Sequence, residues 1–261
     1  MRKKTLSFIL TTILTMSLFA GCGKEEKSNV DNTPTVTVTV EPSTEPTADP
    51  DNTEEVEPTI EAEDTFSTDV IEKAGVVDGV SYSNSLIGFS LSVPETWLLY
   101  GTEETFDLLA ETMDSDADTL KTQLKEQGST YFCYGSDTQL SENGVPENMM
   151  IQASNMKLYA GLGIEPIIES ISALVTSEFN AMGATCEITD PVKKTVNGQD
   201  IYLVSSKATF NITSGDTTTE EIVNQEYIYF DRDNVLISII ISTQSNDSPS
   251  MSTIIDSLSF Q

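Results

Sequence analysis

The chain has 261 residues, of which 42 are acidic and 13 basic; its formal net charge is −29, and it contains no histidine. A chain this acidic lacks the positive surface that nucleic acids and anionic membranes require of a partner. The absence of histidine excludes Ser-His-Asp and Cys-His catalysis and imidazole metal ligands. Three cysteines are too few for a disulfide-dense scaffold.

Residues 1–21 have the pattern of an export signal. Three basic residues at positions 2–4 precede an apolar stretch at 6–19, and small residues follow that stretch. The apolar stretch of about 14 residues is shorter than the roughly 20 that a permanent bilayer-spanning helix needs. The pattern therefore predicts a signal peptide that is removed from the mature protein.

The signal ends in Leu18-Phe19-Ala20-Gly21-Cys22. This ending resembles the lipobox of bacterial lipoproteins, although Phe19 occupies a position that is more often leucine. The resemblance implies transfer of a diacylglyceryl group to the Cys22 thiol and cleavage between Gly21 and Cys22. Two acyl chains anchor a protein stably, whereas one does so only marginally. The alternative interpretation is an ordinary secretory signal that happens to be followed by a cysteine.

Residues 22–75 have the composition of a tether. The segment 33–60 contains five of the ten prolines and eight threonines, and acidic residues are frequent throughout. Such a composition cannot bury enough apolar surface to offset the entropy cost of folding. Residues 35–40 alternate threonine and valine like a strand. Because no second apolar segment lies beside them, we interpret them as part of an extended tether.

From residue 76 to residue 261 the pattern predicts a single α/β domain of the α+β type. The first predicted elements are a strand or hairpin from Tyr82 to Val93 ended by Pro94, a helix capped by Thr102, a helix over 117–127, and strands at 131–134 and 149–153. A helix from Pro166 to the residue before Gly183 follows. The last predicted elements are strands at 185–196 and 200–212 around Asn197-Gly198, strands at 220–231 and 235–243 around 232–234, and a helix that starts at Ser248-Pro249.

The segment 235–241 is apolar at every position except Ser238. A strand that is apolar on both faces has to be covered on both faces. The sequence therefore predicts a central antiparallel sheet sandwiched between helices.

The segment GFSLSVPETW at 88–97, preceded by Tyr82 and Asn84, resembles the opening of PsbP-like domains of bacterial lipoproteins. The closing segment 254–260 resembles the terminal helix and short final strand of the same family. The resemblance implies an antiparallel sheet between helices. Plant members are extrinsic subunits of photosystem II, but no segment matches their functional residues, so that role does not transfer to this chain.

Within this motif, four residues have predicted structural roles. Gly88 permits a close or bulged strand, Phe89 faces the core, and Pro94 ends the strand. Trp97 is predicted to be a packing anchor, with a ligand platform as the alternative.

Other polar clusters give weak signals. The run 114–118 begins like a calcium-binding EF-hand loop, but Thr119 and Lys125 stand where that loop requires glycine and glutamate. We therefore predict helix-capping acids and no metal site. Cys133 and Cys186 could form a disulfide or remain buried thiols. No phosphate loop or dinucleotide fingerprint is present, so no cofactor is predicted.

The acidic pairs Glu103-Glu104 and Glu220-Glu221 could supply a glycosidase-type acid and base. Residues 76–261 contain 27 acidic residues against 7 basic ones, so adjacent carboxylates also arise by chance on a solvated surface.

These features predict a lipoprotein on the outer face of the cytoplasmic membrane that acts as a non-catalytic binding or assembly module. Its expected partners are the membrane, through the lipid anchor, and an unidentified envelope protein or ligand, with no role for nucleic acid. Two alternatives remain open. One is an envelope hydrolase that uses paired carboxylates, and the other is a solute-binding receptor.

Overall fold

Antiparallel strands form the centre of the fold in a computed structural model that describes residues 68–139, 146–157, 161–214, 217–243 and 248–261. The predicted signal peptide, Gly21, Cys22 and most of the predicted tether lie outside these described residues. None of the helices within the described ranges combines the length and apolar character that a membrane span requires.

The elements follow one another in an irregular alternation of helices and strands. They are α1 (Thr68–Lys73), β1 (Gly75–Asp78), β2 (Ser81–Asn84), β3 (Phe89–Ser92), β4 (Trp97–Tyr100), α2 (Thr102–Met113), α3 (Ala117–Glu126), β5 (Ser129–Asp137), β6 (Asn148–Asn155), α4 (Ile164–Ala181), β7 (Ala184–Ile188), β8 (Val192–Val196), β9 (Gln199–Ser214), β10 (Thr217–Arg232), β11 (Val235–Thr243), α5 (Pro249–Ser257) and β12 (Ser259–Phe260).

The large sheet has eight strands in the order β4-β5-β6-β11-β10-β9-β7, and β8 pairs with β9. Every pairing in it is antiparallel. Strand β11 lies between β6 and β10, and all nine of its residues are buried. The predicted central strand and the predicted antiparallel α/β fold class are therefore confirmed.

Helices α2, α3 and α4 cover one face of the large sheet. Helix α4 places apolar side chains such as Ile168 and Phe179 against Tyr227 and Ile240 of β10 and β11. Helices α2 and α3 cover the part of the sheet near β5 and β6, where Phe106 packs against Tyr131 with ring centroids 5.8 Å apart. We call this side of the large sheet the helix face.

A second, smaller sheet covers part of the opposite face. Its four strands are ordered β1-β2-β3-β12, and it is joined by α5. Phe89 of β3 meets Phe230 of β10 edge-on at 5.3 Å, and Ile254 of α5 lies in the same apolar cluster as Ile239 of β11. The sequence predicted short strands here but gave no indication that they form a separate layer. We call this side of the large sheet the inner-sheet face.

The turns explain several boundaries. Asn197 and Gly198 both have positive φ, at 49° and 84°, as the predicted two-residue hairpin requires. At the next hairpin the turn consists of Asp233 and Asn234 alone, so Arg232 belongs to β10 rather than to the turn. The predicted strand 185–196 is two strands, β7 and β8, which are separated by a short break that includes Pro191. Proline lacks the N–H that an uninterrupted ladder needs.

Two of the predicted helix starts are wrong by one or two residues, whereas the predicted start of α5 is confirmed. The N-cap of α2 is Gly101 rather than Thr102, and the Thr102 hydroxyl instead donates to the Phe132 carbonyl oxygen at 3.1 Å. Helix α4 begins at Ile164, before Pro166. The predicted cap of α5 is confirmed, because Ser248 accepts from the Ser250 N–H at 3.2 Å.

Residues 68–75, which composition placed in the tether, form α1 and the start of β1. Ile71 is buried, and its carbonyl oxygen accepts from the Asn84 side-chain amide at 2.9 Å. The Glu72 carboxylate is also buried; it accepts a hydrogen bond from the Thr130 hydroxyl and lies 3.2 Å from Lys121 Nζ. The fold therefore includes this helix.

Replacing Ile71 with alanine should lower the free energy of unfolding by about 2–4 kcal/mol, because the substitution leaves a cavity beneath α1. The matched control is Lys73→Ala on the same helix, where the side chain is exposed and the expected change is within about 0.5 kcal/mol. Urea unfolding of the full-length chain can be followed through Trp97, the single tryptophan. Equal unfolding midpoints for the two variants would show that α1 does not contribute to the fold.

Candidate functional site

The residues of the 88–97 motif occupy structural positions. Phe89 and Trp97 are each only 2% exposed and lie in the cluster between the two sheets. The Pro94 carbonyl oxygen accepts from the Trp97 N–H at 3.0 Å, in the turn that leads from β3 to β4. At this exposure the face of the Trp97 ring is not available to a ligand.

Gly88 lies where three segments meet. Its φ is +74°, and its carbonyl oxygen accepts from Arg232 Nη1 at 2.8 Å and from the Gln261 N–H at 2.9 Å. Arg232 also donates to the Gln261 main-chain oxygen at 3.0 Å. A side chain at Gly88 would come within 2.5 Å of the Arg232 guanidinium. The motif glycine is thus required both by its backbone conformation and by this close approach.

Cys133 and Cys186 are both free thiols. Cys133 on β5 contributes to the cluster on the inner-sheet face, whereas Cys186 on β7 packs against the cluster on the helix face. The two strands are five positions apart in the sheet order, or roughly 20 Å or more at the usual strand spacing. A disulfide requires Cα atoms within about 7 Å, so these cysteines cannot pair in this fold.

None of the acidic clusters picked out in the sequence forms a pair of facing carboxylates. Glu103 binds Lys121 at 2.9 Å, and Glu104 accepts from the Gly101 N–H at 2.8 Å at the start of α2. Glu220 and Glu221 are consecutive in β10 and therefore point to opposite faces. Asp116 accepts from the Thr119 N–H at 2.8 Å and caps α3, as predicted.

The structure instead brings polar side chains together in a groove on the inner-sheet face. The groove has a volume of about 540 Å³. Strands β7, β9 and β10 form its floor, and α5 contributes one side. The residues that define this polar groove are Glu187, Thr189, Ser205, Lys207, Asn224 and Glu226, with Met251 from α5.

Strand register determines the arrangement of these side chains. Glu226 lies opposite Ser205, Asn224 opposite Lys207, and Lys207 opposite Glu187. Alternate residues of a strand share a face, so these five side chains lie on the same face as Ile228 and Phe230, which pack under the second sheet. The polar groove therefore begins where that apolar cluster ends.

A pair of main-chain contacts fixes the position of Ser205. The Thr189 N–H donates to the Ser205 carbonyl oxygen at 2.9 Å, and the Ser205 N–H donates to Thr189 Oγ1 at 3.0 Å. The Ser205 hydroxyl then donates to Glu226 Oε2 at 2.6 Å. This chain of contacts joins β10 to the segment that follows β7.

Two acceptors at the floor of the groove are incompletely satisfied. Burial raises the pKa of the Glu226 carboxyl, and the Ser205 hydrogen bond lowers it in part. Asn224 is 4% exposed, and within the described part of the chain its Oδ1 has no hydrogen-bond partner. Buried acceptors without donors are costly, so this arrangement suits a ligand that supplies donors.

Sequence reasoning did not identify this site. No motif surrounds Ser205, Asn224 or Glu226, and the chain has no histidine that could activate the Ser205 hydroxyl. The available signal was a change of polarity on one face of β10, where Phe230 and Ile228 give way to Glu226 and Asn224. Within the described residues, no group of three or more cysteine, aspartate or glutamate side chains could hold a metal ion.

Comparison with known proteins gives structural similarity without sequence similarity. No family model and no curated protein matches the chain. Cyanobacterial PsbP (CyanoP) from Synechocystis sp. PCC 6803 is similar in structure at 15% identity and a TM-score of 0.42, covering 72% of this chain and 99% of that one.

Two crystal structures show weaker similarity. A protein from Bacteroides thetaiotaomicron VPI-5482 has 11% identity and a TM-score of 0.34, with 71% of this chain and 49% of that chain covered. LpqN, involved in cell envelope biogenesis of Mycobacterium tuberculosis, has 12% identity and a TM-score of 0.32, with 65% and 76% covered.

The Gly88→Ala variant should be less stable than the Gly79→Ala variant. Both glycines have positive φ, at +74° and +57°, but a side chain at Gly79 would meet no atom within 4 Å. Gly79→Ala should therefore cost about 1 kcal/mol for backbone strain alone. Gly88→Ala should cost a further 1–2 kcal/mol, approximately, because Arg232 must leave its two acceptors. Urea unfolding measures both, and equal losses would contradict the proposed role of Arg232.

Glu226→Gln should stabilise the chain increasingly as the pH rises. Because the pKa of Glu226 is raised in the folded state, ionisation opposes folding above the ordinary glutamate pKa. The variant and the wild type should therefore have similar urea midpoints near pH 4, and the variant should gain an advantage towards pH 8. Glu220→Gln, at an exposed position of the same strand, is the control and should show no such trend. A constant difference across this range would contradict the partial burial of the Glu226 carboxylate.

Proposed function

We propose that the protein is a lipoprotein anchored through Cys22 on the outer face of the cytoplasmic membrane, and that its folded part is a non-catalytic module that binds a ligand in the polar groove. One observation supports the binding role: the buried Asn224 side-chain oxygen in the groove has no partner among the described residues, and it lies beside the half-buried Glu226 carboxylate, which accepts from Ser205 alone. The anchor rests on the sequence that precedes and includes Cys22.

The size of the groove favours a small ligand over a protein partner. Its volume of about 540 Å³ lies within the range of roughly 300–1,000 Å³ typical of small-molecule sites. A docking surface for a protein would be flatter and more apolar. Among the open alternatives, the solute-binding receptor is therefore compatible with the same groove.

The carboxylate-hydrolase alternative has one observation in its favour. Glu187 and Glu226 both line the groove, on strands about 10 Å apart, and the pKa of Glu226 is raised, as it is in many catalytic acids. However, Lys207 lies directly opposite Glu187 in the register, and Glu187 is exposed. This arrangement places a cation where a glycosidase would need room for substrate or water, so binding is the better supported role.

The Cys22→Ala variant should move from the membrane fraction to the soluble fraction or accumulate as an uncleaved precursor, because the acceptor of the diacylglyceryl group is lost. Fractionation of cells and incorporation of labelled palmitate measure the outcome. The control is Cys186→Ala, which removes a thiol from the folded part and should remain processed and membrane-bound. A Cys22→Ala protein that is still labelled and membrane-bound would contradict the proposed anchor.

A further inference from the structure

We propose that the polar groove binds its ligand through a protonated primary amino group, which is held by the Glu226 carboxylate, the Asn224 side-chain oxygen and the Ser205 hydroxyl. This inference deepens the proposed function and rests on the groove being the binding site. It assigns the ligand class from the charge, the hydrogen-bonding capacity and the spacing of three side chains.

The charge at the floor of the groove favours a monovalent cation as the ligand. Glu226 is bonded to a neutral hydroxyl, and within the described part of the chain no lysine or arginine forms an ion pair with it. Lys207 lies across from Asn224 rather than across from Glu226, and Glu187 is its neighbour on the other side. In the register the positive charge of Lys207 therefore lies between the Asn224 amide and the Glu187 carboxylate, and not directly opposite Glu226.

The hydrogen-bonding groups at the floor favour a ligand that donates hydrogen bonds. Ser205 occupies Glu226 Oε2, and Oε1 has no partner in the described residues. Asn224 Oδ1 is likewise without a partner there, and Ser205 Oγ retains lone pairs while it donates. A primary ammonium group carries three donors and no acceptor, which matches three acceptors. A neutral hydroxyl group carries one donor and would leave two of them unsatisfied.

The spacing allows one atom to contact all three acceptors. Asn224 and Glu226 are two residues apart on one strand, so their Cα atoms are about 6.8 Å apart. Ser205 lies directly across from Glu226, with a Cβ separation of about 4.5–5.5 Å. Side chains on such a triangle can converge on a nitrogen at hydrogen-bonding distance, about 2.8–3.0 Å from each.

The rest of the groove limits the other occupants. A calcium ion would need six to eight oxygen ligands, whereas the floor offers one carboxylate, one amide and one hydroxyl. The positive charge of the nearby Lys207 repels a dication more strongly than a monocation. Met251 of α5 adds apolar surface beside the polar floor, so an aliphatic stem attached to the amino group has surface to cover.

The probes for the test are n-butylamine and 1-butanol, which have the same length and differ in charge and donor count. Saturation-transfer NMR detects their weak binding. The sample is the full-length chain at pH 7.5 in a buffer that contains detergent and no amine. We expect butylamine to give at least fivefold more transfer than butanol. Butyltrimethylammonium, which has the charge but no N–H donor, should give an intermediate or weaker signal.

The variants connect this binding to the groove. Glu226→Gln keeps the shape and the Ser205 hydrogen bond but removes the charge, and it should weaken butylamine binding at least tenfold. Glu220→Gln, an equal charge change outside the groove on the same strand, should leave binding unchanged. Urea unfolding of each variant confirms that it is folded.

Several results would overturn the inference. The first is equal signals from butylamine and butanol, and the second is equal binding of butylamine to the wild type and to the Glu226→Gln variant. The third is displacement of butylamine by millimolar calcium, together with loss of calcium binding in the Glu226→Gln variant. If a different ligand binds and its binding is lost in Glu226→Gln, the groove remains the binding site and only the ligand class is wrong. Failure of the Cys22→Ala experiment would affect the proposed location and leave this result intact.

Discussion

Strand β11 is buried along its whole length, and both of its faces therefore have to be covered by other layers. Ile237, Ile239 and Ile241 point to the inner-sheet face, whereas Leu236 and Ile240 point to the helix face. Burial of each such side chain contributes about 1.5–3 kcal/mol, so exposure of either face would remove much of the stability of a domain of this size. The hydrogen bonds to β6 and β10 place β11 in the interior of the sheet, and the remaining layers are arranged around it.

The two layers cover the large sheet unequally. On the helix face, α4 alone has 18 residues and follows the long strands β9 and β10. On the inner-sheet face, the covering strands β1, β2 and β3 have four residues each, whereas β9 and β10 have 16 each. Part of the long strands therefore extends beyond the cover, and in that part the inward-facing side chains change from Ile228 and Phe230 to Glu226 and Asn224. The polar groove is a consequence of this mismatch in length.

Elements with strong local signals could be predicted from the sequence. The apolar run of β11, the Asn197-Gly198 turn and the Ser248-Pro249 cap each depend on a few neighbouring residues, and each is found in the structure. The second sheet and α1 could not be predicted, because short strands give little periodicity and the burial of Glu72 depends on Thr130 and Lys121, which are distant in sequence.

The groove was missed for the same reason. Ser205 and Glu226 are 21 residues apart, and only the register of β9 with β10 brings them together.

The buried carboxylate of Glu72 and the half-buried carboxylate of Glu226 show the difference between an acid that is paired with a cation and one that is not. Glu72 receives a hydroxyl donor from Thr130 and a charge from Lys121. Burial lowers the pKa of that lysine, but Glu103 and Glu72 outweigh this effect and raise it overall. Glu226 receives a hydroxyl donor from Ser205 in the same way, but no lysine or arginine among the described residues pairs with it as Lys121 does with Glu72. Glu72 thus has a cation with N–H donors as its partner, whereas Glu226 has none among the described residues. Because partial burial of an unpaired charge is unfavourable, a cationic ligand that supplies the missing group would bind with a favourable contribution from its charge.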